Sequence, residues 1–115
     1  MNKLIKKLPN ALDPLFSSVA DLQNANRDDL VSCTVLCTRA KIYTKGMQVV
    51  KLLKKKKYTE ISTIINRVIR LISIHRSQLY KLSKQANVCL KNFLFLKDLK
   101  TLFLGIQICF GSKTT

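Results

Sequence analysis

The long interval from Met47 to Leu104 contains neither glycine nor proline. Because these two residue types are the strongest local breakers of regular structure, their absence over such a length favours long helices. Hydrophobic residues make up 47% of the chain and charged residues 23%, a composition that can form a core. The 115 residues suffice for one domain. We expect an all-α fold, a small bundle of three to four helices with long amphipathic helices.

Apolar residues recur at alternating spacings of four and three in the second half of the chain. The set is Ile61, Ile65, Val68, Ile72, His75, Leu79, Leu82, Ala86, Cys89, Phe93 and Leu96. This heptad spacing defines one helix face that packs against a partner, and it predicts one long helix or two collinear ones. Basic residues fall roughly opposite that face or on its flanks, which predicts a basic stripe.

Two further helices are predicted before this segment. Asp13 as N-cap and Pro14 at the first helical position predict a short helix from about residue 14 to residue 24. Asn26 or Asp28 can cap the next helix, which should end near Lys54–Lys57 because positive charge suits its carbonyl end. The apolar row of that helix comprises Val31, Val35, Ile42, Val49 and Leu53, with Thr38 and Gly46 filling the gaps.

The segment from Phe93 to Phe110 is apolar on almost all sides, apart from three charged residues. A helix that crosses a membrane needs roughly 18 or more apolar residues with few charges, and no stretch of the chain reaches that. We therefore interpret the segment as a buried helix or a partner interface, with Gly105 and Gly111 as candidate break or C-cap points.

Charge is distributed unevenly along the chain. Lysine and arginine number 21 against 6 acidic residues, a formal net charge of +15. Residues 1–29 are neutral overall, so the net charge lies in the remainder, where the only acids are Glu60 and Asp98. We predict an N-terminal segment with a short helix (1–29), a basic helical domain (30–111) and a frayed tail (112–115). Such an excess of positive charge implies an acidic partner, whether nucleic acid, membrane lipid or acidic protein.

Groups that could perform catalysis are few. His75 lies on the apolar helix face, so we interpret it as a packed or hydrogen-bonded residue and not as a general base. Cys33 and Cys37 are four residues apart, but zinc would need two more ligands from Cys89, Cys109 or His75 at no recognised spacing. Small buried hydrophobes are the simpler interpretation of all four cysteines. We expect no enzymatic activity, no cofactor and no metal.

Candidate nucleic-acid-binding residues occupy the second and third predicted helices. A hairpin turn near Lys57 and Tyr58 would place their cations along a basic groove or flank, where phosphate contact releases condensed counterions. Few aromatic residues are available for stacking, so we expect recognition of RNA backbone and shape. The candidate residues are Arg39, Lys41, Lys45, Lys54, Lys55, Lys56, Lys57, Arg67, Arg70, Arg76, Lys81, Lys84 and Lys91.

From Asp29 to Leu36 the chain turns from acidic to apolar. This segment is followed by a basic stretch at Lys51–Lys54, a long amphipathic helix and an apolar closing helix. This order of features resembles the helical domain of the Nepro family (nucleolus and neural progenitor protein), which is similar to a protein subunit of RNase MRP. Cys37–Tyr43 stands where that family has a tyrosine followed by a basic motif with asparagine and histidine, so no individual residue is transferred. The resemblance implies a nucleolar role with structured RNA in rRNA processing, within a ribonucleoprotein.

Other interpretations stay open at this point. A basic amphipathic protein on anionic membranes would use the Phe93–Phe110 segment as its apolar anchor. A coiled-coil adaptor would pair its Ile61–Leu96 seam with another chain. Four cysteines without a secretory signal favour a reducing compartment, and the Lys54–Lys57 run resembles a nuclear-import patch. We expect the nucleus, including the nucleolus, with a cytoplasmic or membrane-associated location as the alternative.

Overall fold

Residues 2–24, 30–83 and 90–111 are described by the structure, a computed structural model. They form four α-helices, and a short 3-10 turn at Tyr58–Glu60 connects the second to the third. The helices are α1 (Asn2–Asn24), α2 (Leu30–Lys54), α3 (Ile61–Ser83) and α4 (Leu90–Gly111). No strand occurs within these ranges, and the predicted all-α bundle is confirmed.

Each helix packs antiparallel against the next, and α1 and α4 also contact each other to close the bundle. The ring of Phe16, in the second half of α1, meets the ring of Tyr43 edge-on at a centroid distance of 5.4 Å. Gln107, near the end of α4, donates a 2.7 Å hydrogen bond to Asn66 Oδ1, near the start of α3. The topology is therefore an up-down-up-down four-helix bundle.

One apolar row from each helix forms the core. The predicted row of α2 is confirmed where it is described, because Ile42, Val49 and Leu53 are buried. Thr38 is buried in the same row, and its hydroxyl donates to the Thr34 carbonyl at 3.0 Å, so its polar atom is satisfied. The heptad row of α3 is buried as well, at Ile61, Ile65, Val68, Ile72, His75 and Leu79.

The predicted start of the first helix is wrong. The helix begins at Asn2, and Pro9 and Pro14 both lie inside it. An interior proline costs roughly 3 kcal/mol because it removes a backbone hydrogen bond. The earlier start buries leucines at a helical spacing, namely Leu8, Leu12 and Leu15. Burial of each stabilises the fold by about 1.5–3 kcal/mol, so packing outweighs the local preference of proline for a helix start.

The prediction of one long helix or two collinear helices across Ile61–Leu96 is also wrong. The segment folds back on itself, and α4 packs antiparallel along α3. The heptad spacing identified the buried residues correctly up to Leu79, but spacing alone does not reveal that the chain reverses. Reversal lets the two halves of the apolar face cover each other within one chain, whereas a straight helix would leave that face without an intramolecular partner.

The closing apolar segment forms α4, and the predicted burial is confirmed for one face of it, while Leu94, Leu104 and Ile108 are exposed. Leu96, Leu99, Phe103, Ile106 and Phe110 are buried at helical spacing. The prediction of a break at Gly105 is wrong, because the helix continues through it to Gly111. Phe103, Ile106 and Phe110 are buried on one face of the helix. Their burial keeps the helix intact across Gly105.

A left-handed residue ends α2 at the Lys54–Lys57 run, close to the predicted position. Lys56 has φ 58°, and two backbone hydrogen bonds reach back into the helix. The Lys56 N–H donates to the Leu53 carbonyl at 3.2 Å, and the Lys57 N–H donates to the Leu52 carbonyl at 3.0 Å. This pair is the Schellman motif, in which glycine is the usual residue at the left-handed position. Lysine occupies that position here.

Candidate nucleic-acid interface

The α2–α3 hairpin forms the predicted basic groove. An open groove of about 660 Å³ runs between the two helices, with Lys41 and Lys45 on one side and Arg67 and Arg70 on the other. No carboxylate is among its lining residues. Four of the predicted nucleic-acid-binding residues therefore line one surface, which we call the α2–α3 groove.

Helical spacing explains why these four cations meet. Lys41 and Lys45 are one turn apart on α2, and Arg67 and Arg70 are one turn apart on α3. Antiparallel packing of the two helices then brings both pairs to opposite sides of a single cleft. The floor includes apolar side chains, among them Leu71 and Ile74, and Ile74 is 44% exposed. The spacing of the cations alone does not predict this apolar floor, although Ile74 lies one turn beyond Arg70.

Basic residues continue from the groove towards the hairpin turn. A smaller depression shares Gln48 with the α2–α3 groove and is lined by Lys51 and Lys55, with Glu60 as its one acid. The lysines of the turn itself, Lys54–Lys57, are all exposed. The cations of α2 thus extend from Lys41 to Lys55, a rise of roughly 21 Å along the helix.

Arg76 and Lys81 lie outside the α2–α3 groove, on the part of α3 nearer to Phe93 of α4. They line a separate depression together with the exposed ring of Tyr80. Lys84 and Lys91, also predicted to bind nucleic acid, lie outside the residues whose side chains the structure describes.

Arg39 does not line the groove. Its Nη2 donates a 3.1 Å hydrogen bond to the Pro14 carbonyl of α1, so the side chain bridges two helices. The Arg39 charge also acts on His75, where it lowers the pKa of the imidazole. Arg39 is thus placed away from the four cations that meet in the α2–α3 groove.

His75 is fully buried in the core. Burial first, and the Arg39 charge second, lower the pKa of His75 from 6.5 to about 4. The neighbouring Gln78 side chain raises that pKa, but burial and the Arg39 charge outweigh it. Among the described residues neither ring nitrogen of His75 finds a hydrogen-bond partner. The predicted packing of His75 is confirmed, but its polar atoms are not satisfied there.

The three tyrosines of the chain have different surroundings. Tyr58 stacks on Phe110 at a centroid distance of 4.7 Å, and half-buried Tyr43 meets Phe16. Both rings therefore already have aromatic partners. Tyr80 is 60% exposed on α3.

Within the described ranges, no group of three or more histidine, cysteine, aspartate or glutamate residues is placed to hold a metal ion. Cys37 lines the α2–α3 groove and Cys109 is half-buried in α4. The side chains of Cys33 and Cys89 lie outside the described part of the chain.

No protein-family model matches this chain. No similar curated protein and no similar solved structure was found either. The resemblance of residues 29–111 to the Nepro family therefore stays a prediction. None of the helices, over the residues described, is long and apolar enough to cross a lipid bilayer.

Proposed function

We propose that the protein binds RNA, without catalysis, through phosphate contacts in the α2–α3 groove. The observation that supports this most directly is the convergence of Lys41, Lys45, Arg67 and Arg70 on one groove, whose described lining residues include no carboxylate. Cations from two helices on facing sides of a cleft raise the local potential above that of scattered surface charges. A polyanion that enters the cleft neutralises several of them at once.

The shape of the basic surface favours an extended polyanion over a small anion. The cations follow the second half of α2 from Lys41 and continue to Lys55 in the turn that follows it. These cations form a row and do not surround a single point, whereas the ligands of one phosphate ion would surround it. A phosphodiester backbone presents negative charges at regular intervals and matches such a row.

Two structural observations favour RNA over the alternative partners. Two phenylalanines of the proposed membrane anchor, Phe103 and Phe110, are buried in the core, while Leu94, Leu104 and Ile108 of the same segment are exposed. The proposed adaptor seam is likewise covered within the chain, since the described heptad residues from Ile61 to Leu79 are buried. The adaptor seam and the buried face of α4 are therefore covered in the folded bundle, whereas the basic groove is open to solvent.

The resemblance to the Nepro family extends this proposal to a biological setting. On the basis of this resemblance, we propose that the protein acts in the nucleolus as part of a ribonucleoprotein that processes rRNA. The exposed Lys54–Lys57 turn is suited to recognition by import factors, since all four side chains are accessible. Imaging of the tagged protein, with and without neutralised turn lysines, tests this setting independently of RNA affinity.

The test compares two variants that lose the same number of positive charges. One replaces Lys41, Lys45, Arg67 and Arg70 by glutamine. Its control replaces four exposed lysines elsewhere, Lys3, Lys6, Lys7 and Lys97. Binding to a labelled RNA hairpin is measured by fluorescence anisotropy over a salt titration.

We expect the groove variant to lose most of its affinity. Its log–log salt slope should also fall by about one for each phosphate contact removed. The control should keep a slope close to that of the wild type. Equal losses in both variants would mean that affinity follows net charge, and would reject the groove as the binding site. No salt-dependent binding by the wild type would reject the proposed function itself.

A further inference from the structure

A second depression lies where α3 packs against α4, on the part of the α3 surface next to the α2–α3 groove. Five of its lining residues fall on one face of α3, and Phe93 of α4 closes the other side. The α3 residues are Ser73, Arg76, Ser77, Tyr80 and Lys81. We call this depression the α3–α4 pocket.

The exposure of Tyr80 is not explained by the core. The buried face of α3 is the heptad row that includes Ile72 and Leu79, whereas Tyr80 is 60% exposed beside Arg76 and Lys81. An aromatic ring between two cations, with half-buried Phe93 as an apolar wall, combines the two features of single-stranded nucleic-acid sites. Those features are a stacking surface for a base and positive charge for the adjacent backbone.

We propose that the α3–α4 pocket holds one unpaired RNA base, stacked on Tyr80, with flanking phosphates on Arg76 and Lys81. This inference rests on the proposed function and specifies its substrate class. The RNA would contain a bulge, loop or single-stranded end, because a base within a continuous duplex cannot enter a pocket.

The serine hydroxyls complete the chemistry of the pocket. Ser73 Oγ donates to the Ile69 carbonyl at 3.2 Å, so its oxygen lone pairs remain to accept a hydrogen bond from a base N–H. The Ser77 hydroxyl, one turn further on, lines the pocket and can donate or accept. No carboxylate lines the pocket to repel a phosphate.

A row of residues on α3 connects the pocket to the groove. Arg70 and Ile74 line the groove, Ser77 and Lys81 line the pocket, and the four follow one another at helical spacing. Arg70 and Lys81 are eleven positions apart, a rise of roughly 16 Å. One RNA can therefore contact the groove with its backbone and reach over α3 to place a nucleotide in the pocket.

The test uses two labelled RNA hairpins with identical stems, one fully paired and one with a single bulged uridine. Their dissociation constants are measured for the wild-type protein, Tyr80→Leu and Tyr80→Phe. A matched control is Phe16→Leu, because Phe16 on α1 has the same 60% exposure as Tyr80. Circular dichroism is recorded for each variant so that a folding defect is recognised.

We expect the wild type and Tyr80→Phe to bind the bulged hairpin about five-fold or more tightly than the paired one, the low end of base stacking on an aromatic ring. Tyr80→Leu should lose that preference while its affinity for the paired hairpin is unchanged, and Phe16→Leu should keep it. Equal binding of both hairpins by the wild type would overturn the pocket and leave the groove proposal intact. A preference for the bulged hairpin that survives in Tyr80→Leu would also overturn the pocket and leave the groove proposal intact. Binding to neither hairpin would overturn the proposed function, and the pocket with it.

Discussion

Gly46 of α2 faces Leu12 of α1 so closely that a Cβ atom added at Gly46 would lie 2.7 Å from Leu12 Cδ2. The same atom would lie 3.3 Å from Phe103 Cζ of α4. Three helices therefore meet at a position where an added Cβ atom would force the methyl groups of Leu12 to move. Glycine costs α2 about 1 kcal/mol in helix propensity, which the close approach must offset.

Replacement of Gly46 by alanine should destabilise the fold despite the better helix propensity of alanine. Fully buried Leu12 would have to move its methyl groups within a packed core, and overpacking of this kind costs about 1–3 kcal/mol. Urea denaturation of the variant measures the change in free energy of unfolding. Gly105→Ala is the matched control, because its Cβ would meet Leu4 at an ordinary 3.7 Å. That variant should gain up to about 1 kcal/mol from helix propensity. A gain in both variants would contradict the close packing at Gly46.

Acidification should destabilise the protein through His75. Its pKa is lowered from 6.5 to about 4 in the folded protein, so below pH 6.5 the unfolded chain binds more protons than the folded one. Stability should therefore fall as the pH drops from about 6.5 towards 4. A shift of this size corresponds to a loss on the order of 3 kcal/mol. Thermal melting at a series of pH values measures the effect.

The variant His75→Leu serves as the control for this titration. It should flatten the pH dependence between about 4 and 6.5. At neutral pH it should leave stability unchanged or raised, because the described structure gives neither ring nitrogen a hydrogen bond to lose. A pH profile identical to that of the wild type would show that His75 is not the titrating group.

Replacement of Lys56 by glycine should stabilise the α2–α3 turn. Lys56 has φ 58°, a conformation that costs a residue with a Cβ about 1–2 kcal/mol more than glycine. Replacement by glycine removes that cost, but the greater entropy of glycine in the unfolded chain offsets part of the gain. The net increase in the free energy of unfolding should be about 1 kcal/mol. Lys51→Gly removes the same charge from the exposed helical part of α2 and should instead lose about 1 kcal/mol. Chemical denaturation that finds both variants destabilised would refute the left-handed turn.

A buried charge at Val68 should unfold the core. Val68 is fully buried in the heptad row of α3, and an aspartate there would have no counterion among the apolar residues around it. We expect Val68→Asp to cost several kcal/mol and to remove the cooperative thermal transition. Thr63→Asp places the same charge on the exposed face of α3 and should change stability little. An unaltered melting curve for Val68→Asp would place residue 68 outside the core.

Periodicity predicted which residues are buried better than it predicted how the helices are connected. The rows through Ile42 and Ile65 follow from helical spacing, because burial repeats with the turn of the helix. The reversal between α3 and α4 leaves that spacing intact at Leu96, so a heptad pattern cannot distinguish a straight helix from a hairpin. The start of α1 could not be predicted from local sequence, because proline favours the first position of a helix and Pro14 therefore indicates a start there. The packing of Leu8 and Leu12, which favours the earlier start, depends on helices that are distant in sequence.

The α2–α3 groove was predictable in outline because it needs only a hairpin and cations at helical spacing. Its apolar floor was not, since the exposure of Ile74 depends on how far apart the two helices lie. Arg39 shows a different limit, because its spacing on α2 does not reveal that its guanidinium contacts Pro14 on α1. The pocket beside Tyr80 needs Phe93 from α4, which becomes a neighbour only after the chain reverses.

The up-down-up-down order has a consequence for how the chain folds. Most contacts between helices join successive elements, and only the α1–α4 contact connects the two ends of the chain. Helical bundles with mainly local contacts of this kind fold in microseconds to milliseconds, because little loop-closure entropy is lost before contacts form. On a ribosome, α1 and α2 could pair before α3 is synthesised, and the apolar faces of α3 and α4 would then reach a surface already in place.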